Sequence, residues 1–450
     1  MPLELVVDIF EIYIREYCGS PLALGAICRT WRHIAWSTSR LWTLVTIWLP
    51  RRTITESMIQ VIAEWLTRSH QLPLDVRIHG SRTDVHVGPA QYLRLAAVIN
   101  QSCNRWRSFS LDLPISTLRH FNDVWNFSPT LTELQLFANA ADWLKPVEIK
   151  FQVGMPQTVC LTGIPVRHLD LRWDNVTTVH VNYLTVGEII QILELGPLIQ
   201  QASFDWVDDR EVYYPPIVPT IHPSLRDLKI DFNEAWDDIG DGQLFDAMTF
   251  PALQKLVYSV VEATFPEQSF ASCLQRSSCQ LEELSILGCT FSDAGITEIC
   301  KLVPTLTKLE LSNSMMQMPL QTFYKALEAH LTSRAVSVPL LPRLEVFQWE
   351  AGPEFAWESL LSFLVPLDRD SSRRRPLKLI EVRCDRDLEN EDHMIPYIDQ
   401  GTWNKLRKLG SSVDFDLRVK VSISSRGGFY DNLISMSSAY FENNNEQNDI

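Results

Sequence analysis

The side chains best suited to catalysis, cysteine and histidine, are scattered through this sequence without the spacing that chemistry requires. Nine cysteines and ten histidines occur in 450 residues, and no two cysteines form a CxxC pair. An odd number of dispersed cysteines indicates neither a disulfide framework nor a zinc module, so we expect reduced thiols packed in the interior. Gly-rich nucleotide loops and the HExxH and GxSxG patterns are also missing from the sequence. We therefore expect a protein without a catalytic site of its own that uses no metal and no other cofactor.

The composition narrows the class of partner. Hydrophobic residues make up 46% and charged residues 21% of the chain, as in ordinary globular domains. Forty basic residues against 55 acidic ones give a formal charge of −15. Such a surface repels phosphate backbones, so we expect no nucleic-acid partner. No apolar run reaches the ~18 residues that span a bilayer. These features predict an intracellular protein, cytoplasmic and/or nuclear, that binds no membrane.

A repeated apolar pattern dominates the middle of the chain. One apolar residue is followed by two more, at the third and fifth positions after it. The pattern begins at Trp106, Leu131, Val176, Ile199, Leu225, Leu253, Leu281, Leu306, Leu344 and Leu377. From Val176 to Leu306 the starts are 23, 26, 28, 28 and 25 residues apart, which is the leucine-rich-repeat period of a short strand followed by a helix or an irregular return.

This period predicts an α/β fold. We expect an irregular leucine-rich-repeat solenoid with parallel strands on the concave side and helices or loops on the convex side. The repeat from Leu281 to Leu311 resembles the cysteine-containing repeats of many F-box proteins, with Cys289 at the turn position. The longer interval between Leu131 and Val176 holds further strand-like pieces, and the arginine-rich stretch 369–376 is expected to form an exposed loop.

The first 48 residues have a different pattern. Apolar residues at helical spacing, among them Leu5, Ile9 and Ile12, alternate with acidic ones, and Gly19-Ser20-Pro21 breaks the helix. A second helical stretch follows, and the chain then alternates like a strand from Leu41 to Leu49. A module of about forty residues buries too little area to be stable alone. We therefore expect it to gain stability from a partner or from the next domain.

The same residues carry a resemblance to a known motif. They are Pro2-Leu3-Glu4-Leu5, Ile9-Phe10, Leu22, Cys28-Arg29, Trp31-Arg32, Ala35 and Leu41-Trp42. Their spacing resembles the F-box, and an F-box followed by leucine-rich repeats is similar to the expanded F-box families of mushroom-forming (basidiomycete) fungi. The resemblance covers the whole chain in architecture, but only the first ~48 residues carry a specific motif. Met1 stands where the motif usually has leucine.

The resemblance implies a function. An F-box docks on the Skp adaptor of a Skp–cullin–F-box E3 ubiquitin ligase, the repeats bind the target protein, and the ligase modifies it. The adaptor contacts implied for this chain are Pro2, Leu3, Leu5, Ile9, Phe10, Leu22, Cys28 and Trp31. One alternative is that these residues form a private cap packed on the first repeat. The alternative function is a non-ligase protein-interaction scaffold with a degenerate F-box, which the departure at Met1 favours.

A substrate site is expected on the concave face. Tyr183, Trp206 and Phe232 occupy the seventh position after the start of three successive repeats, where they are expected to stack as an aromatic column. Asp205 and Asp231 lie beside them, and the acidic stretches 206–214 and 234–242 are near in sequence. Aromatic anchors rimmed by acids suit a basic peptide segment of a protein substrate. The alternative is that the aromatic residues pack under the return loops and the acids are solvated.

These patterns divide the chain into four segments. We expect an F-box in 1–48, a connecting region with the first strand–helix units in 49–105, the leucine-rich-repeat domain in 106–410, and a C-terminal cap with a polar tail in 411–450.

Overall fold

The structure is a computed structural model, and it describes most but not all of the chain. The described residues are 2–17, 19–50, 53–80, 89–114, 118, 130–138, 155–166, 169, 171–208, 218–232, 242–260, 263–312, 320–332, 339–351, 357–367, 373–386, 398–410, 416–423, 430–432 and 437–439.

The chain packs as two compact units. Unit 1 comprises Met1–Leu184 with Gln191–Asp205, and unit 2 comprises Thr185–Ile190 with Trp206–Ile450. This division follows packing, whereas the four segments expected from the sequence follow residue patterns, and those segments stay a prediction.

Unit 1 begins with three helices and continues as alternating strands and helices. Its elements are α1 Leu3–Glu16, α2 Pro21–Ile27, α3 Arg29–Ser37, a 3-10 helix Ser39–Trp42, β1 Leu44–Trp48, α4 Glu56–Arg68, β2 Leu74–His79, α5 Pro89–Asn100, a 3-10 helix Cys103–Arg105, β3 Trp106–Asp112, β4 Glu133–Phe137 and β5 Thr158–Thr162. Three elements span the division between the units: β6 Thr178–Thr185, α6 Val186–Leu195 and β7 Gln201–Asp208. Strands β1 to β6 pair in parallel and in chain order.

Unit 2 repeats the same alternation. Its elements are β8 Thr220–Ile221, β9 Asp227–Phe232, α7 Gln243–Ala247, β10 Met248–Thr249, β11 Lys255–Val260, α8 Glu267–Ser277, β12 Glu283–Leu287, α9 Asp293–Leu302, β13 Lys308–Ser312, α10 Gln321–Thr332, β14 Val346–Ala351, a 3-10 helix Trp357–Leu364, β15 Leu379–Arg386, α11 Gln400–Gly410, β16 Asp416–Ile423 and β17 Tyr430–Asn432. Strands β9, β11, β12, β13, β14, β15 and β16 pair in parallel, and β17 adds to β16 in antiparallel. The short strands β8 and β10 form a separate parallel pair.

The expected α/β class and the expected parallel strands are therefore confirmed. The apolar residues at the third and fifth repeat positions lie opposite one another across neighbouring strands: Leu228 faces Leu256, and Ile230 faces Tyr258. All four are at most 1% exposed. Because side chains alternate across a strand, these residues point to one face and build the core, while the intervening polar residues point to the other face.

The sheet also contains strands that do not follow any of the ten repeat starts, in regions where the sequence had indicated strand-like pieces. Strand β5 lies between β4 and β6 in the long interval after Leu131, and it places Val159 and Leu161 in the core. Strands β1 and β2 extend the sheet before Trp106, the first repeat start that the sequence suggested. Their pattern is the same, with Val45 and Ile47 opposite Val76 and Ile78.

In unit 2, helices are capped by carboxylates from the preceding helix. Glu267, the first residue of α8, accepts hydrogen bonds from the backbone N–H and the hydroxyl of Ser292, the residue before α9. A Cβ on Gly295 would lie 1.7 Å from a carboxylate oxygen of Glu267, so only glycine admits this approach. Asp293, the first residue of α9, accepts from the backbone N–H groups of Thr322 and Phe323 in α10, the latter at 2.8 Å. Each contact satisfies donors that a helix start leaves unpaired.

Candidate functional site

Helix α1 has two apolar faces. Val6, Val7, Phe10 and Ile14 are buried, with Phe10 only 1% exposed. Leu5, Ile9 and Ile12 follow one another at helical spacing on the other side, and they are 52%, 50% and 55% exposed. The buried face holds the helix to unit 1, and the exposed face remains open in the described structure.

The buried face fixes α1 in place. The rings of Phe10 and Trp31 are 4.8 Å apart between centroids, which joins α1 to α3. Arg40 reaches Asp8 at 2.7 Å and Glu11 at 3.3 Å, and Arg15 reaches the largely buried Asp75 of β2 at 3.6 Å. Both the sheet and the neighbouring helices therefore set the position of α1.

The other helices of the module also pack on the strand–helix repeats. A Cβ on Gly25 of α2 would lie 2.0 Å from the ring of Trp36, so glycine lets α2 and α3 meet closely. Trp42 lies edge-on to Trp36 and to Trp65 of α4, with ring centroids 5.3 and 5.7 Å apart. The guanidinium of Arg68 lies 5.2 Å from the rings of Trp36 and Trp42. The described residues of this module are thus packed into unit 1.

Exposed apolar side chains are concentrated in this module. Among the residues that the structure describes, eighteen large hydrophobic side chains are exposed, and eight of them lie between Leu3 and Ile27. The eight are Leu3, Leu5, Ile9, Ile12, Tyr13, Tyr17, Leu22 and Ile27. Single exposed apolar residues are ordinary, whereas a concentration of them marks an interaction surface.

Most of the implied adaptor contacts lie at the surface. Pro2, Leu3, Leu5, Ile9, Leu22 and Cys28 are exposed, and Trp31 is half-buried. The Sγ atom of Cys28 caps α3 by accepting from the backbone N–H of Trp31 at 3.4 Å. Phe10 was wrongly placed with the surface contacts, because its ring is buried against Trp31.

The expected aromatic column is wrong for Phe232. Its side chain is 3% exposed and lies 5.4 Å from the ring of Tyr258, in the core of unit 2. Trp206 is 47% exposed and also belongs to unit 2, whereas Tyr183 is half-buried and belongs to unit 1. A common stack of the three rings is therefore excluded by the burial of Phe232.

The acidic residues expected beside that column have mixed surroundings. Asp205 is half-buried and accepts a hydrogen bond from the Ser203 hydroxyl at 3.1 Å. Asp231 is half-buried in β9, opposite Ser259. Most of the two acidic stretches, namely residues 209–214 and 234–241, lies outside the described residues.

The seventh repeat position has an unusual backbone. Gly163 and Gly288 occupy it with φ of 66° and 72°, and Tyr183 and Trp206 occupy it with φ of 62° and 58°. Glycine adopts this left-handed conformation without strain, whereas an aromatic residue there costs roughly 1–3 kcal/mol. The chain thus carries strained aromatic residues at the ends of β6 and β7, where glycine would be the relaxed choice.

An exposed aromatic side chain that the sequence pattern did not indicate lies in unit 1. Trp48, the last residue of β1, is 66% exposed, and its ring stacks on His79 of β2 with centroids 4.4 Å apart. Nδ1 of His79 lies 3.7 Å from a carboxylate oxygen of Asp112 in β3. The sequence does contain a signal for this pair. Val45-x-Ile47 and Val76-x-Ile78 repeat the core pattern of the strands, and Trp48 and His79 each follow directly after it.

The described thiols do not form a reactive centre. The seven cysteines whose side chains are described are free, and Cys273, Cys289 and Cys300 are buried, as expected from the sequence. Burial raises the pKa of the Cys273 thiol to about 11 and that of Cys300 to about 12. Cys28 differs from the expectation because it is exposed. Within the described residues, no group of three or more His, Cys, Asp or Glu side chains is arranged to hold a metal ion.

The arginine-rich stretch departs from expectation at one residue of its described part, 373–376, in which Arg373 and Pro376 are exposed as expected. Arg375 is 4% exposed and donates to the backbone carbonyl oxygens of Leu340 at 2.9 Å and Leu327 at 3.3 Å. Burial lowers the pKa of its guanidinium to about 10. This residue therefore anchors the return after α10 rather than forming part of an exposed loop.

No family model matches the sequence, and no curated protein matches it either. In the part of the chain that the structure describes, every helix is too short or too polar to cross a bilayer. What the chain does has to be inferred from its own surfaces.

Proposed function

We propose that this chain is the substrate-recognition subunit of a Skp–cullin–F-box E3 ubiquitin ligase. In this proposal residues 1–48 form an F-box, the following parallel repeats form an irregular leucine-rich-repeat solenoid, and the protein acts in the cytoplasm or the nucleus. The observation that carries the proposal is the exposed apolar face of α1, formed by Leu5, Ile9 and Ile12, on a helix whose opposite face is buried in unit 1.

The physical reason is the cost of leaving that face in water. Burying one aliphatic side chain contributes about 1.5–3 kcal/mol, and a few large central residues usually carry most of the energy of an interface. Leu5, Ile9 and Ile12 lie on a helix held by Phe10 and Arg15, so little ordering is needed when a partner binds. A pre-ordered apolar helix face suits a helical adaptor better than an extended peptide.

The private-cap alternative accounts for the buried half of the module. Val6, Phe10 and Ile14 do pack within unit 1, as a cap would. It gives no reason for the exposed Leu5, Ile9 and Ile12, because a helix with one partner surface needs one apolar face. In our proposal, the first set attaches the module to the repeats and the second set binds the adaptor.

The proposal is tested by co-purifying the full chain with a Skp adaptor. The wild-type chain is expected to bind, and Leu5→Asp/Ile9→Asp is expected to lose binding by at least about thirtyfold, since two central contacts are removed. The matched control is Val61→Asp, which charges an exposed apolar residue of α4 outside the module and is expected to leave binding unchanged. Circular dichroism establishes that each variant is folded.

Two results would count against ligase recruitment. If the folded wild-type chain does not bind the adaptor, the scaffold alternative replaces the proposal. If Leu5→Asp/Ile9→Asp binds as well as the wild type, the adaptor contact is not on the exposed face of α1.

A further inference from the structure

We propose that the outward face of β1, β2 and β3 binds an extended acidic peptide segment of the substrate. This inference rests on the proposed function, which it deepens by naming the site and the substrate chemistry. The surface is a grid of six side chains, called here the Trp48 patch: Thr46, Trp48, Arg77, His79, Ser110 and Asp112.

The register of the sheet places these six residues together. Thr46 lies opposite Arg77, which lies opposite Ser110 on the next strand. Trp48, His79 and Asp112 form the second row in the same way. Neighbouring strands are about 4.8 Å apart and residues two apart along a strand about 6.7 Å apart, so one short peptide can contact both rows.

Trp48 provides a pre-ordered apolar contact. Trp48 is 66% exposed. Its indole stacks on the ring of His79, with the ring centroids 4.4 Å apart and an interplanar angle of 23°. Because the ring is already held by this stack, a peptide side chain that packs on it pays little of the entropy cost of ordering the indole.

Arg77 provides the charge that selects the peptide. It is exposed, and none of the described residues forms an ion pair with it. Two carboxylates lie near Arg77 in the sheet, and both have other partners. Asp75, two residues before Arg77 on β2, is bound by Arg107, with Nε to Oδ1 at 2.9 Å, and by Arg15 at 3.6 Å. Asp112 lies 3.7 Å from His79. A carboxylate of the peptide therefore meets a guanidinium that no carboxylate of the described residues occupies, and its geometry suits two parallel hydrogen bonds.

These positions specify a peptide pattern. Trp48 and Arg77 are diagonal neighbours, one strand and two residues apart. In an extended peptide, side chains two residues apart point the same way. We therefore expect an Asp or Glu two residues from an aliphatic or aromatic residue, both facing the patch. A basic peptide would place its charge against Arg77, so the patch differs from the site for a basic segment that the sequence suggested beside Trp206.

A peptide-display library with every position randomised tests this pattern on the full chain. The wild type is expected to enrich an acidic residue two positions from an apolar one. Arg77→Glu is expected to change the selected charge from Asp or Glu to Lys or Arg. Trp48→Ala is expected to weaken a peptide enriched on the wild type by at least about tenfold.

Matched variants of unit 2 serve as controls. Arg226→Glu makes the same change in net charge at another exposed arginine, and Trp206→Ala removes another exposed tryptophan. Both are expected to keep the wild-type selection. The inference is overturned if Arg77→Glu still selects acidic residues, if Arg226→Glu changes the selection equally, or if Trp206→Ala abolishes binding while Trp48→Ala does not.

Adaptor co-purification of the same variants separates this inference from the proposed function. Arg77→Glu and Trp48→Ala are expected to retain the adaptor, and Leu5→Asp/Ile9→Asp is expected to retain the peptide. Peptide selection without adaptor binding supports the patch and rejects the ligase. Adaptor binding without any enriched peptide rejects the patch alone.

Discussion

Helices α1 and α9 are both amphipathic, yet the chain covers them differently. In α9 the apolar residues Ile296, Ile299 and Cys300 are all buried, and the side chains that reach solvent include Glu298 and Lys301. In α1 one apolar set is buried, while Ile9 and Ile12 are about half exposed. The apolar side chains Ile296, Ile299 and Cys300 of α9 are thus covered by the chain itself. The module helix has more apolar surface than the described chain covers, which is the property expected of a docking element.

The sharpest test of this contrast uses isoleucine in both helices. Ile299→Ala removes a fully buried side chain and is expected to lower the free energy of unfolding by about 2–5 kcal/mol. Ile12→Ala removes a side chain that is 55% exposed, so its effect is expected to stay within about 0.5 kcal/mol. Urea denaturation followed by circular dichroism measures both.

Equal losses of stability in the two variants would remove the contrast. If Ile12→Ala were as destabilising as Ile299→Ala, the outer face of α1 would be part of the folded core. Its role as a docking surface would then have no support.

A smaller effect is expected at the helix-to-helix caps, which occur in unit 2 and not among the described residues of the module. Glu267→Ala removes the carboxylate that binds Ser292, the N-cap residue of α9, and is expected to cost about 0.5–1.5 kcal/mol. Glu298→Ala serves as its control, because Glu298 makes only a surface pair with Lys301, and such pairs are worth about 0.5 kcal/mol or less. The difference between the two urea midpoints gives the contribution of the cap, and equal midpoints would show that it is negligible.

The ion pairs of α1 are expected to matter still less. Arg40 contacts Asp8 and Glu11, but its side chain is 48% exposed and the charges are screened by solvent. Arg40→Ala is expected to lower stability by less than about 1 kcal/mol, a loss that shrinks further at high salt. A loss well above about 1 kcal/mol that disappears at high salt would mean that ion pairs, rather than Phe10 and Ile14, hold α1 in place.

Thiol labelling compares the same two regions without a mutation. Cys28 at the start of α3 is exposed, whereas burial raises the pKa of Cys300 in α9 to about 12 and keeps it protonated at neutral pH. Iodoacetamide is therefore expected to modify Cys28 in the native chain and Cys300 only after denaturation, as read by peptide mass spectrometry. Comparable native labelling of both would contradict the packing of α9, and slower labelling of Cys28 with adaptor present would support the proposed contact.

Much of the fold could be predicted because the repeat pattern is local. The third and fifth positions of each repeat meet across the sheet, as Leu228 and Leu256 do. Strand β5 was expected only as a strand-like piece and not as a repeat, because Pro156 occupies its first repeat position, where the pattern requires a large apolar residue. Periodicity thus locates strands only where every position keeps its type.

The surfaces were harder to predict, because exposure depends on neighbours that are distant in sequence. Phe10 and Ile9 are adjacent apolar residues of α1, yet Trp31 covers only Phe10. Phe232 shares its repeat position with Trp206, but Tyr258 of the next strand encloses it. The Trp48 patch required the pairing of three strands, which a single repeat does not reveal.

In both helix-to-helix contacts of unit 2, the carboxylate belongs to the helix that comes earlier in the chain. Glu267 precedes α9 in the chain, and Asp293 precedes α10, so each capping carboxylate is synthesised before the helix start that it binds. A ribosome adds residues from the amino end, and domains generally fold in that order. Each of these helices therefore emerges next to a carboxylate that is already in place. Removing α8 from the amino end would leave Ser292, the N-cap of α9, without its carboxylate partner, whereas removing α10 from the other end would leave Glu267 and Ser292 paired.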